Sequence, residues 1–287
     1  MKWYERVLSK RILESMRKIE LIKKIERLCT YGRIQTNDYK KSWLHKETEG
    51  EIEAYCTDSS LIIIQYENGV NRVLYYSLDF LGFKELLDKL DAQEYCIEFL
   101  SKEREDKEEL FTSLGLKVLA RMMRLANKDC RSIFIDASPV TAFLDTTIPC
   151  MATEKDVEEI NRILWKVFDT RISHLPNNIE LLASISRDEI SVFRGLDGAI
   201  QAILQAKDQG RKFYINQIYN AGEKYIIHAL MLERLKRYCD AGGKYLYAWV
   251  EENNIASIKF HNKYNMNPDG IWDLVYIREA NLAFENR

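Results

Sequence analysis

Between Lys244 and Met266 the chain reads K-Y-L-Y-A-W-V-E-E-N-N-I-A-S-I-K-F-H-N-K-Y-N-M. Tyr245-Leu246-Tyr247-Ala248-Trp249-Val250 is rich in aromatic residues and predicts a strand. In the polar break that follows, Asn253 or Asn254 offers an oxygen to the unpaired N–H groups of a helix start. Ile255 to Lys263 predicts a short helix, and Asn265 tolerates the left-handed conformation that ends helices. A strand, an Asn and a short helix occur in many α/β proteins, and the register of the residues is more telling.

The upstream chain supplies strands and helices in two rounds. In Tyr4 to Cys29, Val7, Ile12, Leu13, Met16, Ile19, Ile22 and Ile25 recur mostly at three- and four-residue steps, which predicts one amphipathic helix. Acidic and basic residues interleave on it, as on a surface helix with one buried stripe. Residues 33–58 are polar and give no assignment. Ser60 to Tyr66 predicts a strand, Asn68-Gly69 a hairpin turn with positive φ at both positions, and Val70 to Leu78 the returning strand. Leu81 to Leu90 predicts a helix, Tyr95 to Leu100 a strand, Glu105 to Ser113 a helix and Leu116 to Leu125 an extended run.

Ser138 to Pro149 carries two of the four prolines and predicts a connector between domains at 1–137 and 150–287. Thr153 and Asp156 form a capping pair before a helix whose stripe is Val157, Ile160, Ile163, Leu164, Val167 and Phe168. Pro176-Asn177-Asn178 opens a second helix. Ile190–Arg194, Ala199–Gln205 and Lys212–Asn220 predict three consecutive antiparallel strands, and Tyr225 to Cys239 an amphipathic helix ended at Asp240-Ala241-Gly242-Gly243.

Composition narrows the function classes. Lys+Arg 42 against Asp+Glu 44 leaves a net charge of -2, with no global pull toward nucleic acid or anionic membrane. Six cysteines are scattered without a C-x-x-C pair, so neither a metal nor a disulfide framework is expected; reduced thiols suit a cytoplasmic protein. No run is long and apolar enough to span a bilayer, and the first residues do not form a signal peptide. Oligomeric state is not readable.

The Lys244–Met266 segment resembles the C-terminal signature of the GNAT superfamily of acyl-CoA N-acyltransferases, V-x-x-x-N-x-x-A-I-x-F-Y-x-K-x-G-F. Val250, Asn254, Ile258, Phe260 and Lys263 fall in step with it. Ser257 stands at its Ala, His261 at its Tyr, Asn265 at its Gly and Met266 at its Phe. The order of elements over 151–280 is also that of the family. The resemblance implies an α/β (α+β) fold with a GNAT-like mixed sheet flanked by helices, in two domains. Glu108 to Leu116 lines up with the same tail, with Phe111 where His261 stands later. The first half is therefore similar to a reduced, catalytically silent copy of the second.

By the same resemblance, the protein is an N-acyltransferase that takes acetyl-CoA, or another acyl-CoA, as co-substrate and an amine of unknown identity as acceptor. Strand N–H groups around Ile218, Tyr219 and Asn220 would hold the thioester carbonyl. The turn at Gly222, Lys224, Tyr225 and Ile226 would receive the diphosphate at a helix N-terminus, where the dipole favours an anion. Asn254 would contact the CoA arm or simply cap its helix. His261 would protonate the departing thiolate in place of Tyr; an ordinary imidazole is protonated about a quarter of the time at pH 7.

The family's phosphate turn is Q/R-x-x-G-x-G/A, and its glycines fall here at Tyr225 and Ile227, with Gly222 displaced toward the strand. If those positions need positive φ, each costs about 1–3 kcal/mol. That departure, with the missing Tyr, keeps a second reading open: a non-catalytic acyl-CoA-binding or protein-interaction module. Aminoacyl transfer from charged tRNA is a third, disfavoured by the lack of basic excess. His228 either touches a phosphate or packs at the helix start. Asn216, Gln217 and Glu189 are candidates to face an acceptor, without an identifiable general base. Trp165, Trp249 and Trp272 are read as core or cleft-wall aromatics.

Overall fold

The computed structural model describes residues 14–16, 18–38, 52–90, 94–135 and 150–279. The chain divides into two compact units, Met1–Ala120 with Leu274–Arg287, and Arg121–Asp273. The expected connector, Ser138 to Pro149, lies outside the described residues.

In the first unit, β1 (Glu14–Met16), α1 (Lys18–Tyr31), β2 (Gln35–Thr36), β3 (Ile52–Cys56), β4 (Ser60–Glu67), β5 (Val70–Ser77), α2 (Phe80–Lys89), β6 (Tyr95–Ser101) and α3 (Glu108–Ser113) follow in order. The helix expected from Tyr4 is confined to Lys18–Tyr31 among the described residues, because Glu14–Met16 pairs with Ile52–Ala54 of β3. Main-chain partners in a neighbouring strand override the local helical periodicity. Leu21, Ile25 and Leu28 are its buried stripe, while Ile19 points to solvent. Asn68 and Gly69 take φ of 53° and 83°, and β4 and β5 pair antiparallel around them from Ser60↔Ser77 to Glu67↔Val70. β5 and β6 run parallel.

The second unit takes up the chain within β7 (Lys117–Asn127). It continues through α4 (Ser132–Ile135), β8 (Cys150–Met151), a 3-10 turn at Glu154–Asp156, α5 (Val157–Val167), α6 (Asn178–Ser186), β9 (Ile190–Arg194), β10 (Ile200–Asp208) and β11 (Lys212–Asn220). α7 (Lys224–Asp240), β12 (Tyr245–Glu251), α8 (Ile255–Asn262) and the start of β13 (Asn267–Arg278) complete it. Strand order is β7-β12-β11-β10-β9-β8, antiparallel except for β11 beside β12.

Local chemistry sets the helix starts. The Thr153/Asp156 pair forms a reciprocal capping box, and Asn177 with Glu180 forms another at α6. Two apolar layers then cover the sheet. Leu230, Met231, Leu232 and Leu235 of α7 pack with Ala202, Leu204, Ile215, Leu246 and Ala248 on one face. Ile160 and Leu164 of α5 and Leu181 of α6 pack with Ile190, Val192 and Ile203 on the other. The buried stripe of α5 ends at Leu164: Val167, expected in it, is about half exposed (51%), and Trp165, read as a core or cleft-wall aromatic, is outside the core at 45%.

Cys130 and Cys239 are bonded, against the expectation of free thiols. They are 109 residues apart in sequence, so no local spacing announced them; folding brings their Cα atoms to 6.3 Å. Alkylation of unfolded, unreduced protein is expected to leave two of the six cysteines unmodified until a reductant is added. Modification of all six without reductant would contradict the bridge.

Candidate functional site

The antiparallel register between β10 and β11 slips by one residue. Gln205 faces Gln217 but Ala206 faces Ile215, so Asn216 is an extra residue, a β-bulge. A bulge bends its strand and sharpens the twist. The consequence shows on the other edge of β11. Its parallel pairing with β12 runs from Lys212↔Tyr245 to Ile215↔Ala248 and stops there. From Asn216 to Asn220, β11 leaves β12 and opens a split in the sheet.

Side chains in the split alternate between faces. Ile218 packs against the α7 core, and Tyr219 packs against the α5/α6 core. Asn220 pairs with Ala202, a residue of the α7 core, and so lies on that face. Gln217 shares the α5/α6 face with Tyr219. It is 4% exposed, and its Oε1 is buried without a hydrogen-bond donor. Beside it, Asn216 Nδ2 donates to Gln205 Oε1 (3.2 Å).

β11 ends in the turn Asn220-Ala221-Gly222-Glu223. Ala221 N–H donates to Gln201 O at 2.8 Å, and Asn220 Nδ2 reaches the carbonyls of Gly222 (3.3 Å) and Glu223 (3.4 Å). These bonds hold the turn flat against β10. A Cβ on Gly222 would lie 2.8 Å from Ile226 Cδ1 and 3.1 Å from Gln201 Oε1, so only glycine fits without displacement. Glu223 is the N-cap of α7, in extended conformation, and its side chain makes no cap bond. Lys224 and Tyr225 are exposed; Ile226 buries its side chain and donates its N–H to Glu223 O (3.1 Å). Tyr225 and Ile227 lie within α7 with no positive φ, so the strain entertained for them does not arise.

Asn254 caps α8, its Oδ1 accepting from Ser257 N–H at 3.0 Å. Asn265 closes that helix with φ of 55°. His261 is 3% exposed, and its Nδ1 lies 2.8 Å from Ser257 O. A carbonyl accepts only, so the proton sits on Nδ1, and Nε2 is buried without a partner. Burial lowers its pKa to about 4, against the opposing Ser257 bond. The quarter protonation expected at pH 7 therefore does not hold, and no proton is stored on Nε2. His228 packs inside, as one of its two readings had it. It lies 2.7 Å from Tyr264 Oη and 3.3 Å from Lys263 Nζ, and burial, then the Lys263 charge, lower its pKa to about 4.

The carboxylates of the α5/α6 face are engaged. Asp156 and Glu159 both pair with Arg194, and Glu159 also accepts from Ile200 N–H (2.9 Å). Glu189 forms a two-point pair with Arg187, at 2.8 and 3.0 Å. The bulge and the end of pairing were missed in the sequence, although the polar pair Asn216-Gln217 inside an apolar strand was a signal for them.

The first unit differs at its strand pairing and at its helix start. β4 and β5 pair without a slip. β5 and β6 pair at Arg72↔Cys96 and Val73↔Ile97, and beyond them Tyr75, Phe83, Phe99 and Phe111 form an aromatic cluster, mostly tilted or edge-to-face, with centroids 4.8 to 6.5 Å apart. The start of α2 is closed by its own N-cap: Asp79 accepts from Gly82 N–H at 2.8 Å.

No protein-family model and no curated protein matches the sequence. Solved structures do match the fold. A GCN5-related N-acetyltransferase from Sphaerobacter thermophilus superposes with TM-score 0.58 at 12% identity, covering 84% of each chain. A tandem GNAT protein from the clavulanic acid biosynthesis pathway gives 0.57 at 10% identity, over 94% of this chain and 98% of its own. A probable N-acyltransferase from Enterococcus faecalis V583 gives 0.55 at 10% identity, over 93% and 72%. At these identities the likeness is one of fold: the chain has the fold of these GNAT structures.

Proposed function

We propose that the second unit transfers an acyl group from acyl-CoA, acetyl-CoA being the simplest donor, to an amine. The observation that carries this reading is the junction of two features on one strand. β11 leaves β12 just before it enters a helix N-terminus that no side chain caps. Unpaired strand amides hydrogen-bond an acyl carbonyl, and uncapped helix amides attract a diphosphate. Asn220, whose unpartnered Oδ1 accepts an amide N–H of the CoA arm, Gly222 and the first amides of α7 would hold the donor. Lys224 would add a point charge.

The reaction balances without a stored proton. A neutral amine attacks the thioester carbon, the C–S bond breaks, and the surplus N–H proton ends on sulfur. His261, neutral and committed to Ser257 O, is not required as the acid. His261→Phe is expected to keep turnover within about threefold, and the wild-type rate should show no alkaline limb near neutrality. A rate lost between about pH 6 and 8 and restored by no acceptor would return the acid role to His261.

Stability carries its own pH signature. His228 and His261 have folded pKa values near 4, below the ordinary 6.5. Above pH 6.5 both states are neutral and nothing changes. As pH falls below 6.5 the unfolded chain binds protons that the folded chain refuses, so stability declines toward pH 4.

We read the first unit as a copy that has lost the site and the chain as a tandem of two such domains, 1–137 and 150–287 in sequence. Aromatic rings fill its split, and the Asp79 carboxylate takes the place of an anion at α2. Titration calorimetry with acetyl-CoA, followed by thiol release with a panel of amines, tests the proposal. Absence of any acetyl-CoA response would end it.

A further inference from the structure

We infer that Gln217 is the acceptor-binding residue of this site, its Oε1 receiving an N–H of the attacking amine. This deepens the transferase reading and rests on it. The argument is one of faces. Along the free half of β11, Ile218 and Asn220 turn toward α7, where the diphosphate turn begins, and Gln217 and Tyr219 turn toward α5 and α6. A donor held at the α7 end therefore fills one face, and the amine approaches the split from the other.

Among the described residues of that second face, Asn161 Oδ1 lacks a donor but belongs to α5, where its Nδ2 bonds Asn178 of α6; the polar groups on and beside the strands are nearly all satisfied. Ser191 Oγ contacts Met151 Sδ, and Gln205 Oε1 accepts from Asn216. Asp156 and Glu159 are tied to Arg194, and Glu189 to Arg187. Gln217 Oε1 alone among these keeps an unused acceptor, directly after the bulge and beyond the last β11–β12 pair. A buried carbonyl oxygen without a donor is costly, and ligand donors are one way such a group is satisfied. An amine brings N–H groups; the thioester brings none, and the amides of the CoA arm stay with the donor on the α7 face. The oxygen is an amide, so it orients the nitrogen without taking its proton, and the nucleophile must arrive as the free base.

The test uses the full chain and three proteins: wild type, Gln217→Leu and Gln217→Glu. Acetyl-CoA affinity is measured by calorimetry; acceptor KM comes from thiol release with tyramine, glucosamine, spermidine and benzylamine. Gln217→Leu is expected to keep its acetyl-CoA Kd within about twofold while acceptor KM rises about tenfold or more. Gln217→Glu, which keeps an acceptor oxygen, should restore KM. An unchanged acceptor KM in Gln217→Leu, with acetyl-CoA still bound, overturns this assignment and spares the transferase reading. Failure of wild type to bind acetyl-CoA overturns both. If none of the four amines reacts, melting of the ligand-free proteins decides. Removing an unsatisfied carbonyl should hold or raise the Gln217→Leu midpoint, and a lower midpoint shows that the oxygen was already serving the fold.

Discussion

Glu223→Asp should weaken acetyl-CoA binding about tenfold or more while making the ligand-free protein about 1 kcal/mol more stable. The two units supply the reasoning. Asp79 stands at the N-cap of α2 in extended conformation and bonds the N–H of Gly82. Glu223 stands at the N-cap of α7, also extended, and makes no such bond. Its side chain is one methylene longer than the residue that caps well. Shortening it lets the carboxylate turn back onto the first amides, which satisfies them and places a negative charge where a diphosphate would sit. Stability and affinity then move in opposite directions, a pattern that general damage to the fold does not give. Calorimetry and thermal melting of the same preparation check it, and a stabilised variant with unaltered acetyl-CoA affinity would put the diphosphate elsewhere.

Arg234→Leu is expected to cost about 2–4 kcal/mol of stability. Arg234 is buried in α7, its guanidinium lying 6.0 Å from the ring of Phe213. It donates to the carbonyl of Asp188 and, at 3.2 Å, to that of Ala206. Asp188 turns the chain into β9 with φ of 55°, and Ala206 is the first β10 residue past the bulge. Two opposing effects set the outcome. Leucine removes a desolvated charge, which favours the variant, and strands two carbonyls, which opposes it. Burial already pushes the Arg234 pKa down, so the first effect is real. The second is larger here because two carbonyls lose their guanidinium donor at once in a buried setting. Denaturant unfolding measures the balance; a variant as stable as wild type would show that the charge was the greater burden.

Much of the local structure was legible. The hairpin at Asn68-Gly69, the capping boxes at Thr153 and Asn177 and the left-handed Asn265 each depend on residues a few positions apart. The strand–cap–helix run from Tyr245 to Asn262 lies within two residues of its expected bounds. The proposed donor residues Ile218 to Gly222 follow one another, so their neighbourhood was visible too. His261 was different. Its register suggested an acid, but burial decides protonation, and burial depends on Phe260, Tyr264 and the sheet beneath. Nor could the sequence anticipate Cys130 with Cys239, or how the aromatic rings of the first unit meet.

Periodicity, caps and turns by themselves determined most strands and helices from Ser60 onward, since those preferences act over three to seven residues; Glu14–Met16, a strand inside a helical pattern, is where pairing overrode them. Only the tertiary structure decided that β11 slips by one residue against β10 and then leaves β12. Register is a property of two strands at once. The residue displaced, the amides left unpaired and the face that Gln217 takes follow from which neighbour each strand finds, and single-chain spacing holds no record of that choice.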